Sequence, residues 1–525
     1  MANKNLFQSI VGKLLPKTNA VNKEFAPAYR FSDKHALAQL AATGCLNSTF
    51  YATDAEQLDK VLALCQKVEA EFIARTALYA RQKGFMKDLP AFLTAVLSVK
   101  GPGLMAEVFD RVIDSPKMLR NFVQIMRSGA VGRKSLGSLP KRLVEQWLAS
   151  RTDEQVFKGS VGQDPSMADV IKMVHPKPAS ASRQALYAYL IGRQYDAASL
   201  PDIVRQFEQY KAAKDRSDLV LPDVPFQMLT ALDLGQKEWT AIARNASWQM
   251  TRMNLNTFLR HGVFEVDGMV ELIAQRLADP KLVEKAKVFP YQLMVAYQSA
   301  GADLPGAVRE ALQDAMEVAI RNVPAVEGKV YVFPDVSGSM QSPVTGHRKG
   351  STTAVRCIDV AALVAAAIVR RNPTAEVVPF SDNVVPCRLN PRDSVLTNAQ
   401  KLASLPSGGT NCSAPLVLLN KRKAKGDLVV YVSDNESWVD ASQYGRFGGS
   451  ATETMKQWSV FKARNPQAKM VCIDIQPYDT TQAKERPDII NVAGFSDQVF
   501  DLIAQVASGE ASADHWVKQI EAVTL

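Results

Sequence analysis

Cysteine is scarce and unpatterned in this sequence. Its six cysteines (Cys45, Cys65, Cys357, Cys387, Cys412 and Cys472) form no CxxC pair and no disulfide-framework spacing, which argues against a structural zinc site and points to a reducing, cytoplasmic location. Long hydrophobic runs are also missing. The longest apolar stretch, Val360 to Val369, is flanked by Arg356, Arg370 and Arg371 and falls well short of the roughly 18 residues of a membrane span. At the N-terminus, Lys13 and Lys17 interrupt the apolar stretch, which makes a poor secretory signal. Three enzyme signatures are absent too: GxxxxGK[ST], DxD and GxSxG. His347 and His515 are available as bases, but no nucleophile is patterned with them, so the expectation is a protein that binds rather than catalyses.

What is present is a chain of 525 residues, 47% hydrophobic and 22% charged. It is too long for one core and has the composition of a globular protein. The net charge of +9 is unevenly spread. From residue 326 onward 21 Lys+Arg meet 20 Asp+Glu, leaving 41 and 33 of the totals of 62 and 53 for residues 1–325, a net of +8. The first part is therefore the candidate polyanion binder.

Two grammars divide the chain. After an N-terminal segment (1–24), residues 25–323 read as successive helices with one apolar stripe each. Leu58, Val61, Leu62, Cys65, Val68 and Phe72 form one such stripe, preceded by the capping-box spacing Thr53/Glu56. Stacked helical pairs, an all-α solenoid, are expected there, with essentially no sheet. From 326 to 525, "KVYVF", "AEVVPF", "DLVVYVS" and "AKMVCIDI" read as buried strands. They alternate with helical stretches at 355–371, 393–405, 414–422 and 453–465, the pattern of an α/β doubly wound parallel sheet. A fragment starting near residue 325 is expected to fold alone.

Ligands of such sheets sit at the carboxyl ends of the strands. There the sequence places Asp335, Ser337 and Ser339 in "PDVSGSM", Thr410 in "LPSGGTNCSAP" and Asp434 in "VVYVSDNES". Two carboxylates and three hydroxyls form a hard oxygen set suited to Mg²⁺, or less selectively Mn²⁺ or Ca²⁺. Helix capping or turn formation is the other use of these residues in "DVSGS". The order Asp-x-Ser-x-Ser, Thr, Asp resembles the metal-ion-dependent adhesion site of von Willebrand factor A domains, and residues 326–525 resemble that family along their length. The resemblance implies these five residues as the cation site and a protein ligand, of unknown identity, for the cation.

The helical part carries one acid-free stretch. From Ser115 to Val144 there are seven basic residues, Lys117, Arg120, Arg127, Arg133, Lys134, Lys141 and Arg142, a composition that attracts phosphates. Met118, Leu119, Phe122, Val123 and Met126 keep helical spacing, so these charges ride on a packed scaffold. A second basic patch offers Lys158, Lys172, His175 and Lys177.

The segments "STFYA", "GRKSLG", "ADVIKMVHPKP", "WQMTRMNLNTFLRHGVF" and "FPYQLMVAY", followed by an A domain, resemble the TROVE-domain proteins of the Ro sixty-kilodalton autoantigen family. The resemblance implies a ring of HEAT-like helical pairs closed by the A domain. It also implies small noncoding Y RNA on the outer basic surface and single-stranded 3′ ends of misfolded RNA in the hole. In bacterial members a 3′→5′ exoribonuclease is implied, tethered by the RNA. Lys158 and His175 take the positions of Y RNA contacts, while a further basic contact of the animal members would fall on Gly162. The alternative from a different class is a metal-dependent adhesion or chelatase-like module without RNA.

Overall fold

The computed structural model describes residues 15–43, 46–49, 51–216, 218–286, 288, 290–301, 303–321, 323, 325–344, 346–347, 355–439, 451–493, 497–510 and 514–525. Packing divides the chain into two compact units. One gathers the residues up to 67 with 287–298 and 313–522; the other gathers 68–286, 299–312 and 523–525.

The first unit is built on strands β3 (Val330–Pro334), β4 (Glu376–Val377), β5 (Leu428–Ser433), β6 (Lys469–Asp474) and β8 (Ile489–Ala493), all parallel, in the order β4-β3-β5-β6-β8. β3, β5 and β8 are buried along their whole length. This is why they read as unbroken apolar runs rather than alternating ones. The apolar stretch too short for a membrane lies in the helix Cys357–Arg371, buried from Cys357 to Val369 and packed on β3 and β5. No helix among the described residues is long and apolar enough to cross a membrane.

The chain changes from helix to strand between Ala319 and Val330, whereas packing does not divide it there. Strands β1 (Ala20–Val21) and β2 (Pro27–Arg30) pair antiparallel, and β2 pairs with β7 (Thr480–Thr481), so the helical part is not free of sheet. Tyr29, 1% exposed, sits in one core with Tyr331, Phe333, Tyr431 and Trp458. Helix α1 (Asp33–Thr43) lies against β8 and the helix His515–Glu521. His35 on α1 meets Glu485 at 2.9 Å. Residues 15–43 thus complete the sheet unit, and a fragment beginning at 325 would lose part of its core.

In the second unit the expected helices form. Helix α2 (Asp54–Lys67) still belongs to the sheet unit, and its N-terminus carries the anticipated box. Thr53 N–H donates to Glu56 Oε2 at 2.7 Å and Glu56 N–H to Thr53 Oγ1 at 3.2 Å. The stripe Leu58–Phe72 does not lie on one helix: Glu69 is extended (φ −69°, ψ 147°) and starts α3 (Ala70–Gln82). Helices α4 (Asp88–Lys100), α5 (Pro102–Val112), α6 (Pro116–Ser128), α7 (Ser138–Ala149), α8 (Asp153–Lys158), α9 (Met167–Val174) and α10 (Ala181–Ile191) follow. Near neighbours along the chain pack together: α3 on α4, α4 on α5 and α6, and α9 on α6, α7 and α10, as stacked helical pairs should. Further helices run to Ala319.

Candidate cation site and nucleic-acid interface

β3 ends at Pro334 and β5 at Ser433, so Asp335 and Asp434 are the first residues past adjacent strands. The chain turns at Asp335 because its own side chain accepts the Ser337 N–H at 2.8 Å, an Asx turn. Ser337 Oγ lies 3.2 Å from Ser339 Oγ. Gly338 N–H donates to the Gly408 carbonyl at 2.8 Å, which brings in the loop that carries Thr410. The Thr410 carbonyl in turn accepts from Trp438 N–H at 3.0 Å. Asp335, Ser337, Ser339, Thr410 and Asp434 are all buried, none more than 4% exposed. The structure therefore brings the five sequence-chosen residues to one place at the carboxyl edge of the sheet.

Their carboxyls are held above the ordinary carboxylate range. Burial raises the Asp335 carboxyl to about 6, although the Ser337 and Ser433 hydroxyls stabilise its anion. Ser433 Oγ donates to Asp335 Oδ2 at 2.6 Å. Burial and then the Asp335 charge raise Asp434 to about 7. Glu436, fully buried two residues on, rises to about 8 by burial, relieved in part by the Lys23 N–H. Close buried carboxylates are costly unless neutralised by protons or a cation. Burial and the two aspartates push the thiol of Cys412 nearby well up. Two carboxylates and three hydroxyls, all hard oxygens, fit Mg²⁺ chemistry.

Several neighbours of this site escaped the sequence reading. Asn22 Nδ2–H donates to the Ser437 carbonyl at 2.7 Å, and Lys23 N–H to Glu436 Oε2 at 2.6 Å. Tyr51 Oη–H donates to Glu24 Oε1 at 2.5 Å. Only "STFYA" marks this region in the sequence, and nothing local in it indicates a contact with Glu24.

The basic residues of the second unit sort into exposed and engaged groups. Ser115 caps α6, accepting from Met118 N–H, and Gly129 in the left-handed region (φ 86°) ends it. Met118, Leu119, Phe122, Val123 and Met126 are fully buried, which leaves Lys117 and Arg127 exposed and Arg120 half-buried on the other faces. Lys134 and Arg142 are exposed, Arg133 and Lys141 partly so. Because α9 packs on α6 and α7, its Lys172 joins this group, and Arg127 and Lys172 both act on Asp169. Lys87, before α4, lies within electrostatic reach of Lys117 and Arg81; the basic run Arg81–Lys87 was its overlooked signal.

Two candidates are less available than their charge suggests. Lys158 is paired with Glu154 at 2.5 Å and Asp223 at 2.7 Å. The Arg120 guanidinium fills the space beside Gly162 and donates to the Pro165 carbonyl at 3.3 Å. His175 is exposed and ends α9 in the left-handed region (φ 54°, ψ 55°), its N–H donating to the Ile171 carbonyl at 2.9 Å. Pro176 after it cannot continue the helix. Lys177 is exposed.

Comparison with known proteins places both units. Residues 329–507 match the family model described as the Ro60 vWA domain, and residues 162–311 match the TROVE domain. The chain belongs to the TROVE-domain family of Ro60 proteins. It is 23% identical to the Deinococcus radiodurans RNA-binding protein RO60 over 97% of this chain and all of that one. It is 22% identical to the Caenorhabditis elegans RNA-binding protein RO60 over 46% of this chain and 37% of that protein. The crystal structure of the Deinococcus radiodurans RO (RSR) protein matches the fold with a TM-score of 0.61 at 20% identity, covering 91% of this chain and 100% of that one. Lys172, His175 and Lys177 fall inside the TROVE match of this Ro60-family chain. The acid-free stretch from Ser115 to Val144 lies outside it, as do Glu24 and Tyr51.

Proposed function

We propose that this Ro60-family protein is a noncoding-RNA-binding scaffold. A small structured, Y-like RNA binds the basic face of α6, α7 and α9, and single-stranded 3′ ends of misfolded or decaying RNA are held by the helical region. The role is RNA quality control, with a 3′→5′ exoribonuclease as partner, tethered by the RNA. The observation that carries this reading is the fate of the acid-free stretch. Its apolar stripe is buried in α6, while Lys117, Arg127, Lys134 and Arg142 are exposed. A packed helical scaffold presenting cations of one sign suits a phosphate backbone. His175 adds a different chemistry. An exposed imidazole held at positive φ beyond a helix end can stack on an unpaired base.

The A domain's role in this proposal is a protein contact. Asp335, Ser337, Ser339, Thr410 and Asp434 would hold a divalent cation, most readily Mg²⁺. With few charged ligands the cation stays electrophilic and supplies a coordination position for a carboxylate. The role is binding, not catalysis.

The direct check is purification. The protein taken from cells at low salt is expected to carry nucleic acid, seen as excess ultraviolet absorbance at the nucleobase maximum and removed by a high-salt wash. A preparation free of nucleic acid that also fails to retain structured RNA at low salt would favour the adhesion module without RNA.

A further inference from the structure

The outward side of the cation site is not bare. A turn formed by residues 22–26 is fastened over the loop that follows Asp434. Besides its bond to Ser437, Asn22 uses its side-chain oxygen to accept Ala26 N–H at 2.8 Å and Glu24 N–H at 3.1 Å, which fixes the turn from inside. Asn22 itself is buried at 6% exposure. The turn presents Glu24, whose carboxylate accepts the Tyr51 hydroxyl. The same hydroxyl lies beside the Ser339 side chain and within electrostatic reach of the Asp434 carboxylate. The Tyr51 ring is set edge-on to Tyr478, centroids 5.6 Å apart. Tyr478 Oη–H donates to Thr49 Oγ1 at 3.4 Å, and Ser48 pairs with His347 through the His347 N–H at 2.7 Å from the Ser48 carbonyl. Two segments from the beginning of the chain thus converge on one candidate cation ligand.

This arrangement adds a fourth carboxylate, one phenol away from Ser339, to a place that already concentrates Asp335, Asp434 and Glu436. Packing alone gives no reason to aim another anion there, because each added negative charge raises the cost of the others. A cation reverses that sign. We propose that Glu24 and the Tyr51 hydroxyl that it holds form an intramolecular acidic cap over the outward side of the cation site, so that the chain itself occupies the place an external carboxylate would need. The inference rests on the cation reading of Asp335, Ser337, Ser339, Thr410 and Asp434. Its consequence is a self-capped site: a partner's acidic side chain engages the cation only by displacing the turn 22–26.

Calorimetric titration of the full chain with MgCl₂ and MnCl₂, and then of the cation-loaded protein with sodium acetate, tests it. The wild-type chain is expected to bind the cation and take up no acetate. Glu24→Gln is expected to weaken cation binding at least about tenfold and to let the loaded protein bind acetate. Tyr51→Phe, which removes only the hydroxyl, should move both in the same direction by less. Circular dichroism establishes folding, and if Glu24→Gln is unfolded the Tyr51→Phe chain decides by the same criteria. Wild-type cation affinity in the folded variant, or no acetate uptake by it, overturns the inference while leaving the cation site standing. Asp335→Ala separates the two ideas: undiminished cation binding in that chain removes the site, and the cap with it. A turn that only packs would shift the melting temperature without creating an acetate site.

Discussion

Asn22 reaches 415 residues along the chain to donate its side-chain amide to the Ser437 carbonyl. With Tyr29 in the sheet core and β2 paired to β7, it makes the beginning of the chain a structural part of the A-domain unit.

A fragment of residues 325–525 is therefore expected to be aggregated or molten, because it lacks Tyr29 and the strand that covers β7. Joining residues 15–67 to it through a flexible linker should restore a cooperative melt, followed by near-ultraviolet circular dichroism. A fragment 325–525 that melts cooperatively without them would show that the early segment only decorates the sheet.

This dependence marks where local pattern stopped being informative. The stripe Met118–Met126, the capping box at Thr53 and the apolar runs of β3, β5 and β6 are signals inside one element, and the structure has them where the periodicity puts them. The convergence of Asp335, Thr410 and Asp434 was also legible, because the ends of parallel strands face one edge. β1, β2 and β7 are two to four residues long and are stabilised by distant partners, so no window contains their cause. Glu24 and Tyr51 are the same case. Lys158 was legible as a charge but not as a paired one, since Asp223 is 65 residues away.

Divalent cation binding should appear as stability. Mg²⁺ is expected to raise the melting temperature of the wild-type chain, by a free energy that grows as the logarithm of concentration above the dissociation constant. Asp335→Asn should remove that rise, because it takes away one of the two carboxylates. RNA affinity should stay within a factor of about two, since the residues concerned belong to separate units and their energies should add. An Asp335→Asn chain that still gains stability from Mg²⁺ would relocate the cation.

His175 separates conformation from contact. At φ 54° a non-glycine residue is strained, by roughly 1 kcal/mol, so His175→Gly should leave the protein equally or slightly more stable in urea unfolding. RNA affinity should nevertheless fall in both His175→Gly and His175→Ala, with the salt dependence nearly unchanged, because a stacked base releases no counterions. Unaltered RNA binding would make His175 only the residue that ends α9.

Lys158 should prove a weak contributor. Its ammonium already serves Glu154 and Asp223, and an exposed pair of this kind is worth about 0.2–1 kcal/mol. Lys158→Met is expected to cost stability on that scale and to change the salt slope of RNA binding by well under one phosphate contact. A loss of a full contact in filter binding would mean that the RNA displaces both carboxylates.

The central claim is that RNA phosphates lie on the basic face of α6 and α7. Filter binding of a structured RNA at several salt concentrations, with the wild-type chain and the Lys134→Gln/Lys141→Gln/Arg142→Gln variant, measures it most directly. Each phosphate contact contributes roughly 0.7 to 0.9 to the slope of log K against log salt, so the triple variant is expected to bind more weakly and to lose about 2 to 3 from that slope. A folded triple variant with the wild-type slope would contradict the claim and put the RNA on another surface.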